Sequence, residues 1–372
     1  MYINTILFKK IILSKLKSVN KFIMTNNFFK ILNDDFSEII KEPLNWNLLK
    51  NKKILITGGT GFILSYLIKI LFLINKKKKL NIKIDCIVRD KKKAYKIFNN
   101  KNYFEDFLTI KVLSIEKKIT LKPKYNYIFH AASVASPKLF KNPIDILSPN
   151  ILGTIELLKF AELNKLNKFI FFSTTAVSGH VDDKLRPISE DLYGSLDPTA
   201  VENCYLESKR MAENICISWF KQKKIPIQII RPAHTYGPGV NLDDGRIYAD
   251  FISSIVQNKD IILHSDGKSI RNFCYIADFI IGLFHVLFKG KNGEAYNISS
   301  EDEHSIKHVA NLLVNKIFKK KCLKVIYKKQ KKPYIRANFK RSTCSNKKAR
   351  LLGWKLKFNI EQGMYRTIES YY

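Results

Sequence analysis

A glycine-rich turn between an apolar strand and an apolar helix is the feature that most constrains the fold of this chain. The strand is predicted over residues 54–57, the turn runs from Gly58 to Gly61, and the helix is predicted over residues 65–74. Gly58 permits a tight turn and Gly61 lets an anion approach the backbone, so N–H groups at the helix start can hold a pyrophosphate. Leu64 stands where the usual fingerprint has a third small residue, and we expect it to widen the packing or to move the helix slightly.

Apolar strands and helical stretches alternate along the following part of the chain. Strands are predicted at residues 54–57, 82–88, 109–113, 127–130, 168–173 and 227–231. This alternation predicts an α/β fold with a doubly wound parallel sheet of the Rossmann type. After Arg231 prolines and glycines break the local structure. We therefore predict a Rossmann domain over 51–232 and a smaller, mainly substrate-binding domain over 233–372, preceded by an extension and lead-in helix within 1–50.

Tyr205 and Lys209 stand four residues apart, which places a phenol and an ammonium group on one helical face. A partly desolvated cation lowers the pKa of a neighbouring phenol and makes it a proton acceptor; lowering a pKa near ~10 by roughly 3 units corresponds to about 4 kcal/mol. This spacing also occurs by chance in many helices. The glycine-rich turn upstream favours the catalytic interpretation.

Further motifs follow in an order that resembles the extended short-chain dehydrogenases/reductases, specifically the nucleotide-sugar epimerases, dehydratases and decarboxylases. The resemblance runs from about Leu49 to the C-terminus. Its marks are the segments Phe-His-Ala-Ala-Ser at 129–133, Asn-Ile-Leu-Gly-Thr opening a helix at 150–154, Phe-Phe-Ser-Thr at 171–174, and the segments 231–239, 244–246, 271–278 and 348–354. Within this family, the segments 135–137, 189–191, 204–205 and 244–246 are similar to those of UDP-glucuronate decarboxylases.

The resemblance implies an enzyme that oxidises the C4 hydroxyl of a nucleotide sugar. Tyr205 is expected to take the hydroxyl proton, Lys209 to hold the phenolate and the nicotinamide ribose, and Thr174 to bond the same sugar oxygen. The implied cofactor-binding residues are Gly58, Gly61, Phe62, Ile63, Arg89, Asp90, Ala131, Ala132, Ser133, Asn150 and Lys209. The implied substrate-binding residues are Ser133, Arg246, Arg271 and Arg341. His130, at the end of a buried strand, is expected to be a hydrogen-bonded core histidine.

The second contact of the cofactor depends on which residue follows the second strand. The family usually places an acid there to bond the adenosine ribose, whereas this chain has Arg89 followed by Asp90. Arg89 in the place of the acid would favour a 2′-phosphate and hence NADP, whereas Asp90 reaching the ribose would retain NAD. We prefer NAD, because enzymes that oxidise and then re-reduce one substrate usually keep it bound.

The residues after Thr174 bear on the fate of the oxidised sugar. By resemblance, dehydratases carry Asp-Glu at these two positions and decarboxylases carry Ser-Glu, whereas this chain has Thr175 and Ala176. The missing acid and base disfavour dehydration. A 4-keto uronic acid is a β-keto acid and loses carbon dioxide readily, so we expect UDP-glucuronate decarboxylation first and nucleotide-sugar epimerisation second. A catalytically silent NAD-binding protein is a third alternative.

Composition limits the partners. The formal charge of +33 is scattered along the chain without a recognised nucleic-acid-binding motif, so we expect electrostatic attraction of an anionic nucleotide sugar rather than nucleic-acid binding. The six cysteines form no C-x-x-C pair, so we predict neither a metal site nor disulfides, and a reducing, cytoplasmic location. No apolar run reaches membrane-spanning length.

The sequence also allows predictions about the N-terminal segment and about the assembly of the chain. Residues 1–23 contain lysines and apolar residues but no acid, which is typical of a basic amphipathic helix, a targeting peptide or a non-native start, and Met24 is a plausible true start. We predict a homodimer, with the helices over residues 150–163 and 205–220 as its candidate interface.

Overall fold

The computed structural model describes residues 25–98, 106–122, 124–136, 142–328 and 339–372. The N-terminal segment 1–24 and residue 137 of the motif at 135–137 therefore lie outside the described residues. The elements of the first half are α1 (Asn26–Ile40), β1 (Lys53–Thr57), α2 (Phe62–Lys78), β2 (Lys83–Val88), α3 (Lys91–Ile97), β3 (Leu108–Val112), β4 (Tyr127–His130), α4 (Pro143–Glu162), β5 (Lys168–Phe172), α5 (Cys204–Lys223) and β6 (Ile227–Pro232).

The second half is built from shorter elements. They are β7 (His234–Tyr236), α6 (Ile247–Val256), β8 (Ile261–Leu263), β9 (Ile270–Tyr275), α7 (Ile276–Lys289), β10 (Glu294–Ile298), β11 (Glu303–Ser305), α8 (Ile306–Leu312), β12 (Val325–Tyr327), β13 (Arg341–Ser342), α9 (Lys347–Arg350) and α10 (Ile360–Glu369).

Seven parallel strands form the main sheet in the order β10-β6-β5-β4-β1-β2-β3. The predicted doubly wound parallel sheet is confirmed, and each of the six predicted strands agrees with the structure to within one residue at either end. The seventh strand, β10, was not predicted. The division into two units at residue 232 stays a prediction, with β10 as a segment of the second half that pairs with β6 in the main sheet.

Side-chain alternation along the strands builds a core on each face of the main sheet. In β1, Ile54 and Ile56 pack into the larger core, whereas Leu55 packs into the smaller one. This arrangement follows from the two-residue period of a strand, which sends neighbouring side chains to opposite faces. Near-continuous apolar runs such as β1 are therefore expected of a sheet covered by helices on both sides.

Two helices differ from their predicted extents. The helix after the glycine turn is longer than predicted, because α2 runs from Phe62 to Lys78. The expectation that Asn150 opens a helix is wrong, since α4 begins at Pro143 and continues through Pro149. Proline suits the first helical position because its fixed φ is already helical and its missing N–H would have no partner there.

A buried carboxylate joins the lead-in helix to three later parts of the chain. Asp35 of α1 is fully buried and accepts hydrogen bonds from the hydroxyls of Tyr66 at 2.5 Å and Tyr275 at 2.8 Å. Its other oxygen lies 2.5 Å from Nη2 of Arg366 in α10. Burial raises the pKa of Asp35, and the charge of Arg366 opposes that rise. The lead-in helix is thus part of the folded body rather than an appendage.

Within the described residues, none of the helices combines the length and the apolar character needed to cross a membrane.

Candidate active site

A cleft of about 2660 Å³ opens where the main sheet meets the small sheets of the second half. The loops after β1, β2, β4 and β5 line one side, since the carboxyl ends of parallel strands meet at one edge of a sheet. Residues of β9 and β13 line the other side. The cleft therefore lies at the position where open α/β sheets bind their ligands.

The glycine turn forms a backbone cradle in this cleft. Gly58 has a φ of +75°, and a Cβ there would lie 2.7 Å from backbone atoms of Ala131 and Ala132. Gly61 is the N-cap of α2 and offers no side chain to the first N–H groups of that helix. A bound pyrophosphate would satisfy such uncapped N–H groups and gain from the helix dipole. The turn therefore fits the diphosphate of a dinucleotide cofactor.

Two buried hydroxyls line the same cleft without a protein partner. The Oγ atoms of Ser133 and Ser173 have no hydrogen-bond partner among the described residues. Buried hydroxyls are normally bonded, so such groups in a cleft favour a polar ligand. Ser133 was predicted to bind cofactor or sugar. Ser173 was not singled out, although it lies within the Phe-Phe-Ser-Thr motif that the sequence analysis identified.

His130 supports the cleft floor without lining the cleft, among the residues described. Its Nδ1 lies 2.8 Å from Oγ1 of Thr57 and its Nε2 lies 3.0 Å from Oγ1 of Thr154. Burial, with a smaller contribution from the charge of Lys209, lowers the pKa of His130 to about 3. The expectation of a hydrogen-bonded core histidine is confirmed.

Lys209 is buried in α5, and its side chain reaches the end of β5. Its Nζ donates a hydrogen bond of 2.8 Å to the carbonyl oxygen of Phe172 and lies 4.9 Å from the ring centre of Phe171. Burial lowers the pKa of Lys209 to about 8. The ammonium group therefore retains its charge at neutral pH while lining the cleft.

Tyr205 lines the cleft one helical turn before Lys209. Burial raises the pKa of Tyr205, and the positive charge that opposes this rise belongs to Arg246. The expected lowering of this pKa by Lys209 is wrong for the structure described here, because burial of the phenol outweighs the charge and Lys209 faces the carbonyl of Phe172. Arg246 is thus the second cation to consider beside the phenol.

Thr174 lies at the end of β5 in the same cleft. Its Oγ1 accepts a hydrogen bond of 3.3 Å from the N–H of Ala176, so the side chain also caps the short turn after the strand. Ala176 lines the cleft as well. The structure therefore brings Thr174, Tyr205 and Lys209 together, and it places a methyl group where the resemblance led us to look for an acid.

Two of the predicted cofactor residues, Asp90 and Asn150, do not line the cleft in the described part of the chain. Asp90 caps α3, since its Oδ1 accepts a 2.9 Å hydrogen bond from the N–H of Lys93. Asn150 lies inside α4 and donates to Oγ of Ser208 at 2.9 Å, which anchors α4 to α5 beside Lys209. It therefore supports the lysine helix and is neither a cleft residue nor a helix cap. The remaining predicted cofactor residues all line the cleft.

The predicted substrate arginines also line the cleft, Arg271 and Arg341 from β9 and β13. Arg246 donates to the carbonyl oxygen of Ala135 at 2.7 Å and lies 3.0 Å from a carboxylate oxygen of Asp244. Arg271 of β9 donates to the carbonyl of Phe339 at 2.8 Å. Arg341 of β13 pairs with Glu303 at 2.6 Å. Guanidinium groups held in this way can offer their remaining N–H groups to phosphate oxygens.

Sequence reasoning missed a lysine in the cleft. Lys69 lies in α2 and is only 7% exposed, yet it lines the cleft. A signal was present in the sequence, because Lys69 is a single charged residue within an otherwise apolar helical run.

This fold and this cleft define a class: dinucleotide-dependent enzymes with a tyrosine and a lysine on one helix at the carboxyl edge of a Rossmann sheet. The chain matches the NAD dependent epimerase/dehydratase family over residues 54–299, and it belongs to that family. It is accordingly an enzyme of a family that uses NAD, which confirms the expected cofactor.

Proteins similar to this chain act on nucleotide sugars. UDP-glucuronic acid decarboxylase 6 of Arabidopsis thaliana is 28% identical over 323 residues, spanning 84% of this chain and 87% of that protein. UDP-glucuronic acid decarboxylase 1 of Xenopus tropicalis is 28% identical over 321 residues, spanning 86% and 72%. Among solved structures, UDP-glucuronic acid 4-epimerase from Bacillus cereus, in complex with UDP-glucuronic acid and NAD, has a TM-score of 0.71 at 24% identity and covers 86% of this chain and 98% of its own.

Proposed function

We propose that the chain is a UDP-glucuronate decarboxylase. The observation that carries the proposal is that one cleft is lined both by a tyrosine–lysine–threonine set and by three arginines. The sugar would lie against Tyr205, and the arginines would hold the anionic groups of its nucleotide. Similarity to decarboxylases over 84% of the chain supports this substrate.

In this proposal Tyr205 accepts the proton of the C4 hydroxyl, and Thr174 bonds the same oxygen. Bound NAD supplies the hydride acceptor, and the glycine turn and Lys209 would hold it. The charge of Arg246 favours negative charge on the phenol oxygen, because Coulomb energies are large where water is excluded. The raised pKa of Tyr205 then suits the return of the proton to the C4 oxygen.

Loss of carbon dioxide requires no acid at position 176. Once C4 is a ketone, the C6 carboxylate stands β to it, and the C5–C6 bond can break with its electron pair passing into the enolate. Carbon dioxide leaves, and a proton then adds to C5. The hydride held by the cofactor would return to C4 and Tyr205 would return the proton to the C4 oxygen, which gives the UDP-pentose and regenerates NAD. The methyl group of Ala176 is compatible with this step because the electron sink is the ketone of the sugar itself.

Epimerisation at C4 is the second candidate. The observation that favours it is Ala176, since the decarboxylases that the chain resembles carry glutamate there. An epimerase would use the same Tyr205, Lys209 and Thr174 but would rotate the ketone before re-reduction, without changing the mass of the substrate.

One experiment separates the two reactions. The purified protein with NAD is incubated with UDP-glucuronate and with neutral UDP-sugars, and the products are followed by NMR. A UDP-pentose with release of carbon dioxide is expected; an inverted sugar of unchanged mass would instead establish epimerisation. Tyr205→Phe should abolish both while NADH binding, followed by fluorescence, is retained. Tyr95→Phe is the matched control, because Tyr95 is exposed on α3 and does not line the cleft within the described residues.

We further propose a homodimer that forms through α4 and α5. These two helices pack against one another, and Leu152 of α4 and Met211 of α5 are about half exposed. Light scattering on the purified protein should give twice the chain mass, and Leu152→Glu combined with Met211→Glu should give the monomer mass.

A further inference from the structure

The loop after β2 lies beside the glycine turn, because β2 is the immediate neighbour of β1 in the main sheet. In Rossmann folds the adenosine ribose of the cofactor lies at this place, and the residue that comes after β2 decides whether the ribose carries a free 2′-hydroxyl or a 2′-phosphate. We call this part of the cleft the ribose end. It comprises the cleft-lining residues Arg89 and Lys93, from this loop and from α3, together with Lys69, whose Nζ lies beside the ring of Phe98 at the end of α3.

The acid that would bond a free ribose hydroxyl is directed elsewhere. The carboxylate of Asp90 accepts the N–H of Lys93 at 2.9 Å and caps α3, and among the described residues Asp90 does not line the cleft. Arg89, one residue earlier, is exposed and does line it. Glu116, in the loop after β3, is the acid nearest in sequence that lines the cleft, and its Oε2 lies 3.3 Å from the hydroxyl of Ser114.

Lys69 adds a buried positive charge to the ribose end. Its Nζ lies 5.2 Å from the ring centre of Phe98 and 5.9 Å from that of Phe28, and its hydrogen bond is to the carbonyl oxygen of Ser65 at 3.3 Å. Within the part of the chain that the structure describes, burial is the one influence on the pKa of Lys69, with no contribution from a carboxylate. Burial lowers its pKa to about 7. A buried ammonium group without a carboxylate is costly, and an anion in the cleft would relieve that cost.

We propose that the ribose end binds the 2′-phosphate of NADP, so that this chain takes NADP(H) as well as NAD(H), with Arg89 as the phosphate-binding residue. A guanidinium group donates two parallel hydrogen bonds to phosphate oxygens, and a free 2′-hydroxyl cannot accept both of them. Lys69 and Lys93 add positive charge to the same cleft. The proposal rests on the cofactor cleft and is independent of which sugar the enzyme converts.

The test measures cofactor binding without any sugar. The full chain is titrated with NADPH and, separately, with NADH, and the fluorescence of the bound nicotinamide gives both dissociation constants. We expect NADPH to bind at least as tightly as NADH. Arg89→Ala should weaken NADPH binding about tenfold or more and NADH binding less than about twofold, since a hydrogen bond to a charged group is worth about 1.5–3 kcal/mol.

Two further variants provide a second test and a control. Lys69→Met preserves the length and the packing of the side chain and should also weaken NADPH binding more than NADH binding. Lys92→Ala is the matched control, because Lys92 is exposed on the same helix as Lys93 but does not line the cleft in the described structure. It should change neither constant.

Competition identifies the source of the phosphate. 2′,5′-ADP should displace NADPH at a concentration at least about tenfold lower than 5′-AMP does, whereas inorganic phosphate should displace neither cofactor. NADH binding more than about tenfold tighter than NADPH binding would overturn the proposal. So would equal losses for both cofactors in Arg89→Ala, or displacement by inorganic phosphate alone.

Discussion

Removing the carboxylate of Asp35 should destabilise the whole protein, because this residue of α1 bonds Tyr275 and Arg366, which are far along the chain. Its two oxygens receive two tyrosine hydroxyls and the guanidinium group of Arg366. Asp35→Ala leaves those three donors without their acceptor. The side chain of Arg366 is 21% exposed, so water can solvate part of the abandoned charge.

The size of the effect follows from these contacts. Breaking a buried ion pair by removing one partner costs about 3–5 kcal/mol, and the partial exposure of Arg366 places this pair at the lower end, about 3 kcal/mol. Because the entropy of unfolding grows with chain length at about 2.1 cal/mol/K per residue, that loss lowers the thermal midpoint by about 4 °C. Asp35→Asn removes only the charge and keeps one acceptor oxygen, so its effect should be smaller.

Urea unfolding followed by tryptophan fluorescence, together with a thermal scan, measures both quantities. The matched control is Asp34→Ala, because Asp34 is the exposed neighbour in the same helix; a surface change of this kind is usually within about 0.5 kcal/mol. If Asp35→Ala and Asp34→Ala unfold at the same urea concentration, the argument that α1 is held by this carboxylate is refuted.

Three other predictions concern the sheet and the cleft. Gly58→Ala should cost at least about 2 kcal/mol and weaken NADH binding, because its Cβ would meet backbone at 2.7 Å at a φ of +75°; Gly61→Ala, with φ of −78°, should cost less. Buried His130 has a pKa of about 3, so below pH 6.5 the unfolded chain binds a proton at this residue and the folded chain does not. The free energy of unfolding therefore falls as the pH drops. In His130→Gln the slope of this fall should be smaller by about 1.4 kcal/mol per pH unit. Glu213→Ala leaves buried Arg231 without the carboxylate that lies 2.6 Å away, and urea unfolding should show a free energy of unfolding lower by about 3–5 kcal/mol.

The main sheet was predictable because its inner strands are buried on both faces. β1, β4 and β5 are short apolar runs, β2 and β6 are mainly apolar, and β3 alternates apolar with polar residues. These local patterns predicted the positions of the six strands to within one residue. β10 gave a weaker signal, because its residues Glu-Ala-Tyr-Asn-Ile include two polar side chains. It pairs with β6 through a contact that depends on the fold of the whole chain and not on its own composition.

The candidate site was predictable in its composition but not in its electrostatics. Motif order placed Thr174, Tyr205 and Lys209 in one cleft, as the structure shows. The pKa of Tyr205 could not be read from a four-residue spacing, because it depends on burial and on Arg246, which is 41 positions further along the chain. The capping role of Asp90 likewise depends on where α3 begins.

The main sheet is completed late during synthesis, because β10 comes long after its partner β6 in the chain. Until residue 298 has left the ribosome, β6 is an unpaired edge strand, and Gln228 lacks the carbonyls of Val286 and Gly290 to which it later donates. Synthesis from residue 232 to residue 298 takes roughly 3–13 s at about 5–20 residues per second. During that interval the nascent sheet exposes a strand able to pair with another chain. The second half of this chain therefore supplies the strand that covers β6, and it thereby prevents the nascent sheet from pairing with another chain.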